Sequence, residues 1–439
     1  MKFIRDSLIT LITRILMLIC GLAILALTSR MLGAEGRGIY AMVVLIVTVL
    51  KMVSSLGVEI GNVYFLGRNR IEGRKLLSNS IVFSFTLGSL VIFLFLFFQH
   101  ILPLSYLQNI SSKILGTAVP ALPFMLLWMM ISYIYMGRKQ IAMYNVVQVG
   151  HPVIFSVVLF FILIVFKGDI HMVFVGWTLV HVLTGIASLF LIHKQIPVRL
   201  TFYMKEARQT IGYGIKAYLA NSLQFLNYRF NYFLINHYLD DIRYVGYYSI
   251  AVAMAELLLH VPYAVGTVVL PNVSHSTEEE ANRNSPQIFR HVFYIIHALA
   301  LIFAVSAHLI FPVLFSEKFN YALKPFYLLI PGVLALGSSK VIINDLAGRG
   351  KPRINMIVAT LTLILNISLN ILLIGRFKLG LAGASMASSV SFLIGTVILV
   401  VIFLKIARTD LKTLFVLRRE DITFYRNMVL RMLKRASRS

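Results

Sequence analysis

Twelve times along this chain, an apolar stretch runs between polar breaks for the length of about 20 residues that a helix needs to cross ~30 Å of hydrocarbon. The stretches are 8–28, 38–60, 79–99, 113–135, 143–166, 171–192, 211–236, 246–270, 289–311, 322–345, 354–374 and 381–404. A backbone inside lipid must satisfy its hydrogen bonds within its own segment or in a closed barrel, and continuous apolar runs lack the alternation that a barrel wall requires. The expected fold is therefore all-α: a polytopic membrane protein of 12 transmembrane helices. Composition agrees, with 59% hydrophobic and 13% charged residues and a mean hydropathy of +0.84 over 439 residues. No stretch of the chain is left over for a soluble domain.

Lys2 and Arg5 precede the first apolar run as they would in a secretory signal. Eleven further spans make an uncleaved first helix the better reading. Cys20, the single cysteine, has no intramolecular partner for a disulfide.

Of the 41 Lys and Arg residues, with Lys113, Arg290 and Lys324 at span ends counted with their loops, 27 fall on one side if the spans alternate from a cytoplasmic N-terminus, nine on the other and five inside spans. That bias places both termini in the cytoplasm. The same bias accounts for most of the net charge of +24, so a nucleic-acid partner is not expected. Ten of the basic residues lie in the tail from Lys405 onward, interleaved with Leu, Phe and Met. Such a tail either lies along anionic headgroups or is solvated and only enforces topology.

Short matches recur at nearly one spacing. Gly38-Ile39-Tyr40 is echoed by Gly246-Tyr247-Tyr248, 208 positions on, and Gly137-Arg138 with Asn145 by Gly348-Arg349 with Asn355, 211 and 210 positions on. A duplicated unit of six spans follows, with parallel halves related by an axis along the membrane normal. The expected organisation is two pseudo-symmetric six-helix lobes around a central cavity: 1–200 as the first lobe, 201–405 as the second, and 406–439 as a basic cytoplasmic tail. External loops are short, so no extracellular catalytic domain is expected, and the chain reads as a transporter rather than an enzyme. Gly33, Gly36 and Gly38 read as a tight turn between the first two spans.

An ionised side chain at mid-bilayer costs about 3 kcal/mol or more unless it faces a polar interior. Lys216, Glu59, Lys340 and Asp345 sit near cytoplasmic span ends, where snorkelling accounts for them. Arg14, Lys51, Arg229 and Glu256 lie deeper and are candidates to line a hydrated path. Span seven supports this: at about 100° per residue, Asn221, Gln224, Asn227, Tyr228, Asn231, Tyr232 and Asn236 form one wide polar face with Arg229 at its edge. Asn and Tyr suit hydrogen bonding to a sugar or an amide ligand, and a guanidinium suits a phosphate. Interhelical hydrogen bonding is the plainer alternative.

Three deep cations against one acid favour an anionic substrate over a cationic one. There is no GxxxxGK[ST] motif, so energy must come from a proton or sodium gradient or from consumption of product, and no cofactor is expected. Neither His291 with His297 nor His171 with His181 has the spacing of a helical metal-ligand pair, and no metal site is expected.

Arg30 to Tyr40, RMLGAEGRGIY, resembles the R-x-LG-x-x-G-x-G-x-Y segment of polysaccharide transporters, the O-antigen flippase-like branch of the multidrug/oligosaccharidyl-lipid/polysaccharide exporter superfamily. Asn221 to Phe233, Gly246 to Glu256, Leu270-Pro271 and Ala347 to Pro352 resemble that family too. The resemblance implies a flippase in the bacterial cytoplasmic (inner) membrane that moves undecaprenyl-pyrophosphate-linked oligosaccharide units by alternating access, for O-antigen, capsule or exopolysaccharide export. Its partners would be the lipid-linked oligosaccharide, membrane lipids, and a polysaccharide polymerase with its export machinery. Arg14, Lys51 and Arg229 would then attract the pyrophosphate, and Asn221, Gln224, Asn227, Tyr228 and Asn231 would face the sugars. One departure stands out: the family pattern has an acid two residues after the arginine, where this chain has Asn231, which leaves Glu256 as the candidate for ion coupling. A multidrug or cation antiporter of the same fold, a membrane-embedded glycan polymerase or ligase, and a scaffold without transport are the alternatives.

Overall fold

The computed structural model describes residues 2–101, 109–198, 200–418 and 421, and every regular element among them is helical. In chain order these are α1 (Lys2–Ser55), α2 (Val58–Gly67), α3 (Gly73–Ile101), α4 (Ser112–Ala118), α5 (Leu122–Gly137), α6 (Ile141–Phe160), α7 (Ile170–His193) and α8 (Met204–Leu239). There follow α9 (Ile242–Glu256), α10 (His260–His275), α11 (Glu278–Phe315), α12 (Leu323–Gly348), α13 (Pro352–Asn370), α14 (Gly380–Ala407) and α15 (Leu411–Phe415). Ten helical segments among the described residues are long and apolar enough to span a membrane. The first covers two expected spans, and α8 falls outside the ten because its polar face dilutes its apolar content. With those two accounted for, each expected span falls on a helical segment, the second interrupted at Leu56 and Gly57 (φ 48° and 75°), where α1 gives way to α2.

The loop expected between the first two spans is helical. Within α1 the backbone leaves helical geometry only at Gly33 (φ 68°, ψ −169°), a conformation that a residue with a Cβ rarely adopts. One glycine thus makes the whole break, and Arg37 lies on the helix rather than in a loop.

The chain divides into two compact units. The first comprises Met1–Ile250 with Ile310–Ala322 and holds α1 to α8 together with the start of α9. Here α3 and α7 pack on α5, α6 packs on α1, and α2 packs on both α5 and α8. Leu76, Leu127, Ile131, Ile134 and Ile192 form one core cluster, and Tyr40 stacks on Phe155 and Phe174 at ring-centroid distances of 6.4 and 5.8 Å. Lys75 Nζ donates to Glu206 Oε1 at 2.8 Å, a hydrogen bond that holds the Glu206 carboxyl below its ordinary range.

The glycines of the first repeated motif meet in this unit. A Cβ on Gly246 would stand 2.1 Å from Ala34 O, and one on Gly38 2.0 Å from Ile242 O, so α1 and α9 cross with their backbones in contact. Gly246→Ala is expected to cost about 1–3 kcal/mol through overpacking. A lower thermal unfolding midpoint in detergent would show this, and an unchanged midpoint would remove the argument.

The second unit comprises Ala251–Leu309 with Leu323–Ser439. Its centre is α12, packed on α10 and α14, with Phe289, Ile296, Ile342, Leu346 and Phe403 in the core. Asp345, fully buried, accepts from Arg349 Nε at 2.6 Å and from Ser285 Oγ at 2.5 Å, while Arg349 Nη1 donates to Asn282 Oδ1 at 2.8 Å. The first part of the basic tail is clasped to α11. Arg290 forms a two-point ion pair with Asp421 at 2.7 and 3.0 Å, Tyr294 Oη donates to Phe415 O at 2.7 Å, and the Phe415 ring packs on Phe289 and Phe293. The tail beyond Asp421 lies outside the described residues.

Local geometry repeats where the motifs do. Lys139 (φ 58°) and Gly350 (φ 74°) take the left-handed conformation 211 positions apart, as do Lys167 (φ 50°) and Lys378 (φ 52°). The helices before the second pair, α6 and α13, both end in a π-helical turn, at Phe161–Val165 and Ile371–Arg376.

Candidate functional site

The polar residues of α8 divide by their neighbours. Asn231 and Asn236 are fully buried. Asn231 Nδ2 donates to Tyr248 Oη at 2.9 Å, and Asn236 Oδ1 accepts from Asn109 Nδ2 at 3.2 Å. Tyr232 is buried too and meets the Tyr248 ring edge-on at 5.7 Å. Asn231 and Tyr232 thereby join α8 to α9, the plainer role for such groups, and Asn236 ties α8 to the turn before α4. Asn227 is buried as well. Gln224 and Tyr228, one turn apart and half-buried, form their own pair, Gln224 Nε2 donating to Tyr228 Oη at 2.8 Å. The side chain of Asn221 lies outside the described residues.

Arg229 is half-buried, its guanidinium 5.8 Å from the centre of the Tyr232 ring. It has a cationic neighbour that sequence reasoning placed in a loop: Arg37 on α1 is buried, and the two guanidinium groups lie within electrostatic reach of each other. Arg37 Nε donates to Ser249 Oγ at 3.0 Å and Nη1 to Thr28 Oγ1 at 3.2 Å, with the Tyr40 ring 5.3 Å away. Like charges repel, and an anion is attracted to both. Recognising that α1 continues past Gly33 would have found Arg37.

A second polar group forms farther along α1. Lys51 is half-buried and lies within electrostatic reach of Glu59 on α2 and of His151 and His181 on α6 and α7. Glu59 does not snorkel: the residue is only 3% exposed, and its Oε2 has no hydrogen-bond partner. Arg14 is exposed on α1 and lies near Tyr144 of α6. If Lys51 and Glu59 stabilise each other, a double-mutant cycle on Lys51→Met and Glu59→Gln should give a coupling of about 0.5–3 kcal/mol by thermal unfolding. Additive single effects would dissolve the pair.

The fold also brings together two histidines that no spacing rule links. His181 Nδ1 lies 2.9 Å from Trp177 O and 3.1 Å from His151 Nε2. A carbonyl can only accept, so the proton is assigned to His181 Nδ1, and His151 Nε2 is the acceptor. Among the described residues no group of three or more His, Cys, Asp or Glu side chains is placed to hold a metal ion.

In the second unit, Glu256 is half-buried at the end of α9. Lys340 and Asp345, read from sequence as residues at span ends, are instead 4% and 0% exposed. Lys340 has its ammonium 4.8 Å from the Tyr263 ring centre, and Asp345 is ion-paired. Proximity to a span end made these residues look like snorkellers; helix packing encloses them.

A family model described as a polysaccharide biosynthesis protein matches residues 24–324. An uncharacterised membrane protein of Methanocaldococcus jannaschii is 22% identical over 253 residues, 55% of this chain and 50% of its own length, so the chain spans about half of the curated relative it matches. Among solved structures, the lipid II flippase MurJ in an inward closed conformation superposes with a TM-score of 0.76 at 18% identity, over 92% of this chain and 90% of that one. An inward-facing multidrug resistance MATE family transporter of the MOP superfamily superposes with a TM-score of 0.71 at 14% identity, over 89% of this chain and 95% of that one. At these identities the likeness is one of fold.

Proposed function

We propose that this chain, which belongs to the polysaccharide biosynthesis protein family that the model describes, is a flippase for lipid-diphosphate-linked oligosaccharides. The observation that carries the proposal is the pair of arginines Arg37 and Arg229, within electrostatic reach of each other on α1 and α8. A diphosphate cannot enter hydrocarbon as an anion without a partner, and paired guanidinium groups supply one. Lys51 and Arg14 extend the cationic lining along α1, and Gln224, Tyr228 and Asn227 offer hydrogen bonds to sugars. The isoprenoid tail stays in the bilayer throughout.

The reading carries an orientation and a location with it. The protein would sit in the cytoplasmic membrane with both termini inside, its lobes 1–200 and 201–405 alternating around the bound headgroup, and its product would feed a polymerase that builds O-antigen, capsule or exopolysaccharide. Glu256 is the proposed site of coupling to a proton or sodium gradient, and the buried Glu59 beside Lys51 is a second candidate.

Reconstitution tests the proposal. Proteoliposomes containing the full-length protein should expose a labelled undecaprenyl-diphosphate oligosaccharide on the opposite leaflet faster than empty liposomes do, and should not accumulate ethidium. The rival reading, a cation antiporter, is favoured by the buried carboxylate of Glu59. Ethidium transport without lipid translocation would establish it instead.

A further inference from the structure

A separate cationic cleft lies where the α2–α3 turn, the α5–α6 turn and the segment after α7 meet in the first unit. Its volume is about 820 Å³, and its floor includes Leu66, Ile71 and Ile196. Arg70, Arg74, Arg138 and Lys139 line it, against the single acid Glu72. Arg74 Nε is buried with no hydrogen-bond partner, and Glu72 Oε1 stands 3.6 Å away. Gly73 and Arg74 also form the first turn of α3, whose backbone N–H groups have no acceptor within the helix and add the positive end of its dipole. The positive-inside bias explains basic residues in these loops, but it does not require them to converge on one hollow.

The repeated motif shows what the same arginine does when its role is structural. In the second unit Arg349 is locked by Asp345 and Asn282. In the first unit Arg138 occupies the corresponding place, 211 positions earlier, but Ile134 stands where Asp345 would be. Among the described residues Arg138 donates to Gln195 Oε1 alone, at 3.5 Å. The first unit has thus kept the cation and dispensed with its carboxylate.

We propose that this cleft binds a phosphate or diphosphate group, on the face assigned above to the cytoplasm. The group can be free or carried by a lipid headgroup, and the chemistry of recognition is the same: forked guanidinium donors and a helix N-terminus around an anion. The volume admits more than a bare phosphate, and the apolar floor suits the body of the molecule that bears it. The proposal concerns a binding equilibrium and does not depend on transport.

The test uses the full-length protein in nanodiscs. In pure phosphatidylcholine, inorganic pyrophosphate is titrated calorimetrically. In discs containing phosphatidylglycerol, retained anionic lipid is counted by native mass spectrometry. Arg74→Gln with Arg138→Gln is expected to weaken pyrophosphate binding about tenfold or more, or to abolish retention of anionic lipid. Loss in the first arm identifies a site open to free anions, and loss in the second alone identifies a headgroup site; either supports the proposal. Arg70→Glu with Lys139→Glu changes only exposed side chains and should weaken the same binding even if the glutamine pair fails to fold. The control, Lys113→Gln with Lys324→Gln, removes two exposed positive charges elsewhere. Binding that survives both cleft variants, or that falls equally in the control, overturns the site.

Discussion

Glutamine in place of Arg229 should slow lipid-diphosphate translocation about 10- to 100-fold while the amount of protein in the membrane stays within about twofold. Arg229 is half-buried against Tyr232 and shares its surroundings with Arg37. The guanidinium is one of the two cations that the proposal sets against the diphosphate, so the loss is expected in the translocation rate. Lysine at the same position keeps the charge but not the forked donor geometry, and should fall between glutamine and wild type. Translocation by Arg229→Gln at the wild-type rate, with normal protein levels, would remove the arginine from the substrate path.

Alanine in place of Asp345 should destabilise the second unit by about 3–5 kcal/mol, the usual cost of leaving one member of a buried ion pair without the other. Folded proteins have only about 5–15 kcal/mol in hand, so this is a large share. Arg349 would keep Asn282 but lose both carboxylate oxygens, and Ser285 Oγ would lose its acceptor. Thermal unfolding in detergent and the monodisperse yield after extraction measure the effect. Asp345→Leu combined with Arg349→Met should recover most of the loss, because an apolar pair of similar volume removes both buried charges at once. A single Asp345→Ala variant that melts like wild type would show that the pair contributes nothing to the fold.

The two predictions concern residues of very different legibility. Arg229 was visible because helical periodicity needs only neighbours along one strand of sequence: its polar face repeats every three or four residues on α8. Asp345 was misread because the same sequence shows distance from a span end but not what surrounds that end. Arg37 was missed for a third reason. A run of glycines and charges looks like a loop, yet Gly33 alone carries the break and the helix continues on both sides.

Side chains that meet across helices were beyond reach of any spacing rule. His151 and His181 lie 30 positions apart on α6 and α7, and the cleft of Arg70, Arg74, Arg138 and Lys139 is assembled from two separate turns. Span seven shows the boundary most clearly. Its polar face could be drawn on a wheel, but only the packed neighbours, Tyr248 and Asn109, show that Asn231 is engaged with α9 and Asn236 with the turn before α4.

Hydrophobic length and period are local properties that lipid reads directly, so where the long apolar segments fall, their helical state and the polar stripe of α8 were determined by the amino-acid order alone. Which charges are paired, which are enclosed and which converge depends on contacts between residues tens or hundreds of positions apart. Those contacts exist only once the helices have packed, and only the tertiary structure decided them.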